Sequence, residues 1–141
     1  MRAEEARVVP VHRETVWALI SEPYHLPDWW PGYTGVEPDR RGLEENARWT
    51  VVRAARPGLF RRPHGTGLVL IRRVSPGREL AWHDLRQKLD MGVQLEDEGR
   101  ETKATAWVSG RFWRLYPEGA HSLPPKAVAR LHDLCDTASG L

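Results

Sequence analysis

Residues 8–32 read VVPVHRETVWALISEPYHLPDWWPG, and this stretch decides the fold. Its first part is β-branched and closes at Pro10, which has no N–H to donate, so a strand over Ala6–Val11 lies at a sheet edge or ends there. From Arg13 to Ile20 the period becomes helical, with Val16, Trp17 and Ile20 on one face and Glu14 in the first turn, where it suits the helix dipole. Pro23 stops this helix and Ser21 can cap a second one over Pro23–Trp29, which Pro27 breaks into short turns. Pro31-Gly32 then turns the chain. Two short helices thus follow a first strand at once.

Outward from there, the chain reads as β up to about Trp113. Strands are expected at Tyr33–Glu37, Ala47–Ala55, Gly67–Val74, Glu79–Leu85, Leu89–Glu96 and Thr102–Gly110, with Arg111–Tyr116 as an extension. Ser75-Pro76-Gly77 signals a type II turn, Asp97-Glu98-Gly99-Arg100 a hairpin, and Pro57–His64 a loop. Between Leu89 and Glu96, Leu89, Met91, Val93 and Leu95 alternate strictly with Asp90, Gly92, Gln94 and Glu96, giving one apolar and one polar face. A helix over Lys126–Asp136 carries Val128, Leu131, Leu134 and Cys135 on one stripe, with Ser122 as a cap. A run of strands with helices at its ends is an α+β pattern. An antiparallel sheet of about seven strands can curl around the C-terminal helix and bury its inner face there.

Size and composition set limits. The chain has 141 residues, which suits one domain over 1–141. Its net charge is only +2, and its sole dense basic patch, Arg61-Arg62-Pro63-His64, falls in the expected loop, which argues against a nucleic-acid surface. No apolar run approaches the ~18 residues of a membrane span. The opening MRAEEARVV has glutamates where a signal peptide carries a basic stretch and then an apolar one, so a cytoplasmic protein is expected. Cys135 is the single cysteine, which rules out an internal disulfide and reads as a small buried hydrophobe. None of the six histidines has metal-site spacing on one element, and no phosphate-binding or nucleophile motif is present; no metal and no cofactor are expected.

Taken in order, Pro10, Val16-Trp17, Ser21-Glu22-Pro23 and Trp30-Pro31 resemble the opening of START-like (SRPBCC) proteins, in particular the polyketide cyclase/dehydrase and lipid-transport group. Ser75-Pro76-Gly77-Arg78-Glu79-Leu80-Ala81-Trp82 is similar to that superfamily's turn into its fifth strand, and Gly99–Thr102 to the start of its last. The resemblance spans nearly the whole chain. It implies the helix-grip fold and an apolar cavity between sheet and helix, and hence a hydrophobic small molecule, aromatic, polyketide-like or lipid-like, as partner. The C-terminal helix is short and the proline-rich loop before it long, a departure that affects the floor and mouth of such a cavity.

Strand parity places candidates in that interior. Leu80 and Trp82 share a face with Asp84; Leu68 and Leu70 with Arg72; Trp49 and Val51 with Arg53. One reading puts Arg53, Arg72 and Asp84 inside or at the rim, where an arginine must pair with Asp84 or an anionic ligand group. The other puts them at strand ends in water. Trp49 and Trp82 offer flat surfaces to a ring, and Val51, Leu70, Met91 and Val93 are taken to line the wall beside them. Trp17 reads as core. Trp29 and Trp30 cannot both be buried on one short helix, so Trp30 is taken to line the mouth, near Tyr33. Parity does not assign the inner face of Thr102–Gly110, because Trp107 opposes Ala104, Ala106 and Val108; a spare apolar face there could serve a homodimer contact. Three functions stay open: a ligand-binding or transport protein; a polyketide aromatase/cyclase-like enzyme using Arg53, Arg72, Asp84 and Tyr33; and an interaction module similar to heat-shock ATPase activators or antitoxin partners, without a true cavity.

Overall fold

The computed structural model describes residues 1–53, 65–111, 115 and 119–139. The expected Pro57–His64 loop, the basic patch within it and most of the Arg111–Tyr116 extension lie outside those residues. Seven strands follow in chain order: β1 (Arg2–Val9), β2 (Tyr33–Glu37), β3 (Arg48–Arg53), β4 (Thr66–Ser75), β5 (Glu79–Asp84), β6 (Leu89–Glu98) and β7 (Glu101–Ser109). They make one curved antiparallel sheet in the order β1-β7-β6-β5-β4-β3-β2. Helices α1 (Arg13–Ile20) and α2 (Leu26–Trp29) lie between β1 and β2, and α3 (Leu123–Ser139) follows the sheet. The α+β expectation holds.

Local chemistry accounts for the turns. Gly77 takes φ 74° after Pro76, and the Arg78 N–H closes on the Ser75 carbonyl at 2.9 Å. Gly99, at φ 64°, turns β6 into β7. The caps differ from expectation. Glu22, not Ser21, accepts from the Tyr24 N–H at the head of a 3₁₀ turn (Pro23–His25) that leads into α2. Ser122 donates to the Gly119 carbonyl in another 3₁₀ turn, and α3 begins at Leu123, three residues early.

The core lies between the sheet's inner face and α3. From the sheet come Trp49, Val51, Val69, Ile71, Leu80, Trp82, Leu89, Met91, Val93 and Leu95; from α3 come Ala127, Val128, Leu131 and Cys135. In β7 the inward set is Thr102, Ala104, Ala106 and Val108, which settles the parity left open above. Trp107 faces outward, and it is not a spare surface: its ring crosses the paired Gly92, and the Arg2 guanidinium lies 4.7 Å above it.

One strand is phased against expectation. Val69 and Ile71 are the buried residues of β4, so Leu68, Leu70 and Arg72 belong to the outer face. The stretch GLVLI is apolar throughout and carries no alternation to reveal its phase. Beyond Ile71 the strand bulges: Ile71 pairs with Trp82 and Arg73 with Ala81, leaving Arg72 unpaired.

Candidate functional site

Three strand ends bring a polar cluster together beneath α2. Tyr33 opens β2, directly opposite Arg53, the last residue of β3. Asp84 closes β5, two positions after the inward Trp82. The Tyr33 hydroxyl donates to Asp84 Oδ2 at 2.9 Å and accepts from Trp82 Nε1 at 3.1 Å, with Met91 Sδ at 3.7 Å. Arg53 Nη2 donates to Asp84 Oδ1, in an ion pair. The same oxygen accepts from the backbone N–H groups of Arg86, at 3.0 Å, and Gln87, at 2.9 Å. Asp84 is fully buried and Arg53 partly so. Burial, reinforced by the adjacent Asp84 charge, pushes the Tyr33 hydroxyl well above its ordinary pKa.

The interior reading thus applies to Asp84 and Arg53, although both are strand-end residues, and Tyr33, expected near the mouth, is buried with them. Asp84 works twice: it pairs with Arg53 and also holds the turn from β5 to β6 through two backbone N–H groups. Arg72 and Leu70 are not in this interior, for the reason of phase given above. Trp49, Val51, Trp82, Met91 and Val93 do face it, each buried. Trp49 Nε1 donates to the Gly42 carbonyl at 2.7 Å, which fixes that ring against the loop before β3.

The expectation that only one of Trp29 and Trp30 is buried is corrected: neither has any exposed surface. Helix α2 ends at Trp29, and Trp30 is extended (φ −100°, ψ 115°), so successive side chains leave a changing backbone and both reach the interior. Trp30 is therefore part of the core and lines no open mouth. Trp29, Trp30 and Trp82 form a triangle of edge-to-face contacts with centroid separations of 5.8, 5.8 and 4.9 Å. Among the described residues, Trp29 Nε1, Trp30 Nε1 and Arg53 Nε are buried with no hydrogen-bond partner. The sequence reading missed Trp29; its signal was the Trp-Trp pair astride a helix end before Pro31. It also missed Gly67, over which Arg53 passes.

Among the described residues no cluster of three or more His, Cys, Asp or Glu could hold a metal. No helix among them is long and apolar enough to cross a membrane. Cys135 is buried, and burial pushes its thiol up in pKa.

Comparison with known proteins agrees with this architecture. No protein-family pattern matches the chain, and no curated protein matches it in sequence. Solved structures do match in shape. Protein NE0264 of Nitrosomonas europaea superposes with TM-score 0.75 at 15% identity, over 100% of this chain and 97% of that one. An AHSA1-like protein of Aeromonas hydrophila gives 0.73 at 16%, over 99% and 94%. An Aha1 dimer of Colwellia psychrerythraea gives 0.63 at 15%, over 96% and 94%. This is the helix-grip fold. Likenesses at identities this low show the fold alone and leave the activity to be argued from the site.

Proposed function

We propose that this helix-grip protein binds a hydrophobic, ring-containing small molecule between its sheet and α3, where the indoles of Trp29, Trp30 and Trp82, closed on one another in this structure, part to receive it. The observation that carries this reading is the pair of buried, unpartnered indole N–H groups on Trp29 and Trp30. An N–H left unsatisfied in an apolar interior costs about 1–3 kcal/mol. A ligand carbonyl or hydroxyl oxygen at this place would satisfy one or both. The indole faces supply apolar area, and Tyr33, Asp84 and Arg53 supply the polar end that orients the molecule. Binding is favoured over catalysis because Tyr33 already donates to Asp84 and its raised pKa keeps it protonated at neutral pH, so it is poorly placed to act as a base.

The close edge-to-face packing of these indoles supports a second reading, an interaction module whose interior is simply filled. One experiment separates the two. Native mass spectrometry of freshly purified protein is followed by titration with 2-acetonaphthone, a fused ring with one carbonyl, monitored by tryptophan fluorescence. The binding reading expects a co-purified molecule or saturable quenching that weakens about tenfold in Trp30→Phe, which keeps an aromatic ring but lacks the N–H. A bare mass with no quenching leaves the interaction module.

A further inference from the structure

The sheet's outer face carries a groove of about 530 Å³ that the interior site does not use. Its lining includes Ala81, whose cross-strand partner Gly92 is buried beneath the Trp107 indole. Trp107 lies along one side. A Cβ on Gly92 would lie 3.0 Å from Trp107 Cζ2, so the edge of the indole next to Nε1 covers Gly92. Trp107 is 9% exposed, and among the described residues its Nε1 finds no acceptor. Opposite Ala81, the bulge in β4 brings Arg72 and Arg73 into the same groove.

The charges here are unequally matched. Arg73 donates to Glu79 at 2.7 Å, and Gln94 donates to the other Glu79 oxygen at 2.6 Å. Asp90 pairs with His83 at 2.8 Å. Arg2 stacks on Trp107 and pairs with Glu4 at 3.2 Å. Both carboxylates lining the groove are thus satisfied, while Arg72 has no carboxylate partner among the described residues. One guanidinium and one indole N–H remain, beside a flat floor and an aromatic wall.

We infer that this groove is a second ligand site, which takes a small planar aromatic carboxylate. Its ring lies on Ala81 beside Trp107, and its carboxylate accepts from the two-pronged Arg72 guanidinium. Of the residues assigned to the interior site only Trp82 also lines this groove, and its indole packs inward on Trp29 and Trp30; Trp29, Trp30, Tyr33, Asp84 and Arg53 do not line it.

The test uses 2-naphthoate and its neutral counterpart 2-naphthalenemethanol, each titrated into the intact chain by calorimetry, with the indole N–H resonances followed by ¹H–¹⁵N NMR. Naphthoate is expected to bind, to shift the Trp107 resonance (assigned with Trp107→Phe), and to bind at least about tenfold more tightly than the alcohol. Arg72→Ala, at an exposed position, should remove that preference. Trp29→Phe should leave the naphthoate affinity unchanged, which separates this site from the interior one. The inference is overturned if naphthoate does not bind at millimolar concentration. It is equally overturned if both compounds bind alike, if Arg72→Ala has no effect, or if Trp29→Phe alone weakens binding.

Discussion

Arg53 and Asp84 lie on strands that are not neighbours, yet the guanidinium reaches the carboxylate by crossing Gly67 of the intervening β4. A Cβ on Gly67 would sit 3.5 Å from Arg53 Nη2 and 3.6 Å from Nε, at ordinary contact distance, so the path has room for a methyl group at this position but not for a larger side chain.

The two members of this pair are not equivalent. Asp84 accepts from Arg53, Tyr33 and two backbone N–H groups, whereas among the described residues the Arg53 side chain has one hydrogen-bond partner, Asp84. Asp84→Ala strands a buried cation and loosens the β5–β6 turn at once, and should cost about 3–5 kcal/mol. Arg53→Met leaves Asp84 with three donors and should cost less, about 1–3 kcal/mol. Urea denaturation at pH 7 measures both; equal losses would contradict the asymmetry.

Tyr33 makes stability depend on alkaline pH. Its pKa in the folded chain is raised above the unfolded value of about 10. A raised pKa means that the folded form holds the proton more tightly. The associated stability is therefore complete below about pH 10 and is lost as pH climbs toward the folded value. Circular dichroism between pH 8 and 12 should show unfolding that sets in above pH 10. Tyr33→Phe, although less stable at pH 7, should show a shallower alkaline loss.

Two glycines should respond oppositely to alanine. At Gly67 a methyl group meets Arg53 at ordinary contact distance, so Gly67→Ala should be within about 1 kcal/mol of the parent, while Gly67→Val should displace the guanidinium. At Gly92 the methyl would lie 2.5 Å from the Leu80 carbonyl oxygen and 3.0 Å from the Ala81 Cα. Both are backbone atoms that cannot step aside, so Gly92→Ala should cost about 2 kcal/mol or more by overpacking. Thermal melts distinguish the two.

The tryptophan triangle gives a fourth expectation. Trp30→Ala empties a fully buried site and should cost about 3–5 kcal/mol, whereas Trp30→Phe keeps an aromatic ring and should cost clearly less. Near-ultraviolet circular dichroism, which senses the coupled indoles, should fall in both variants.

How far the residues themselves spoke can be judged strand by strand. In β6 every second residue is polar or glycine, and its inner face was legible before any coordinates. In β5, Leu80, Trp82 and Asp84 were placed together correctly. In β4 both faces are apolar and the phase could not be read. The burial of Trp30 was illegible for another reason: it depends on the backbone becoming extended one residue after α2 ends, which a helical period does not encode. The meeting of Arg53 with Asp84 depends on which strand lies between them, a matter of sheet order.

The bulge in β4 bears on how much editing this sheet tolerates. Arg72 is surplus to its partner strand: Ile71 and Val74, on either side of the arginine pair, keep their places opposite Trp82 and Leu80. Excising Arg72 would therefore leave a regular ladder with nothing turned inside out. The extra residue serves curvature and charge, giving β4 a sharper coil and the sheet a second outward arginine, and neither of these is needed for the strand to pair.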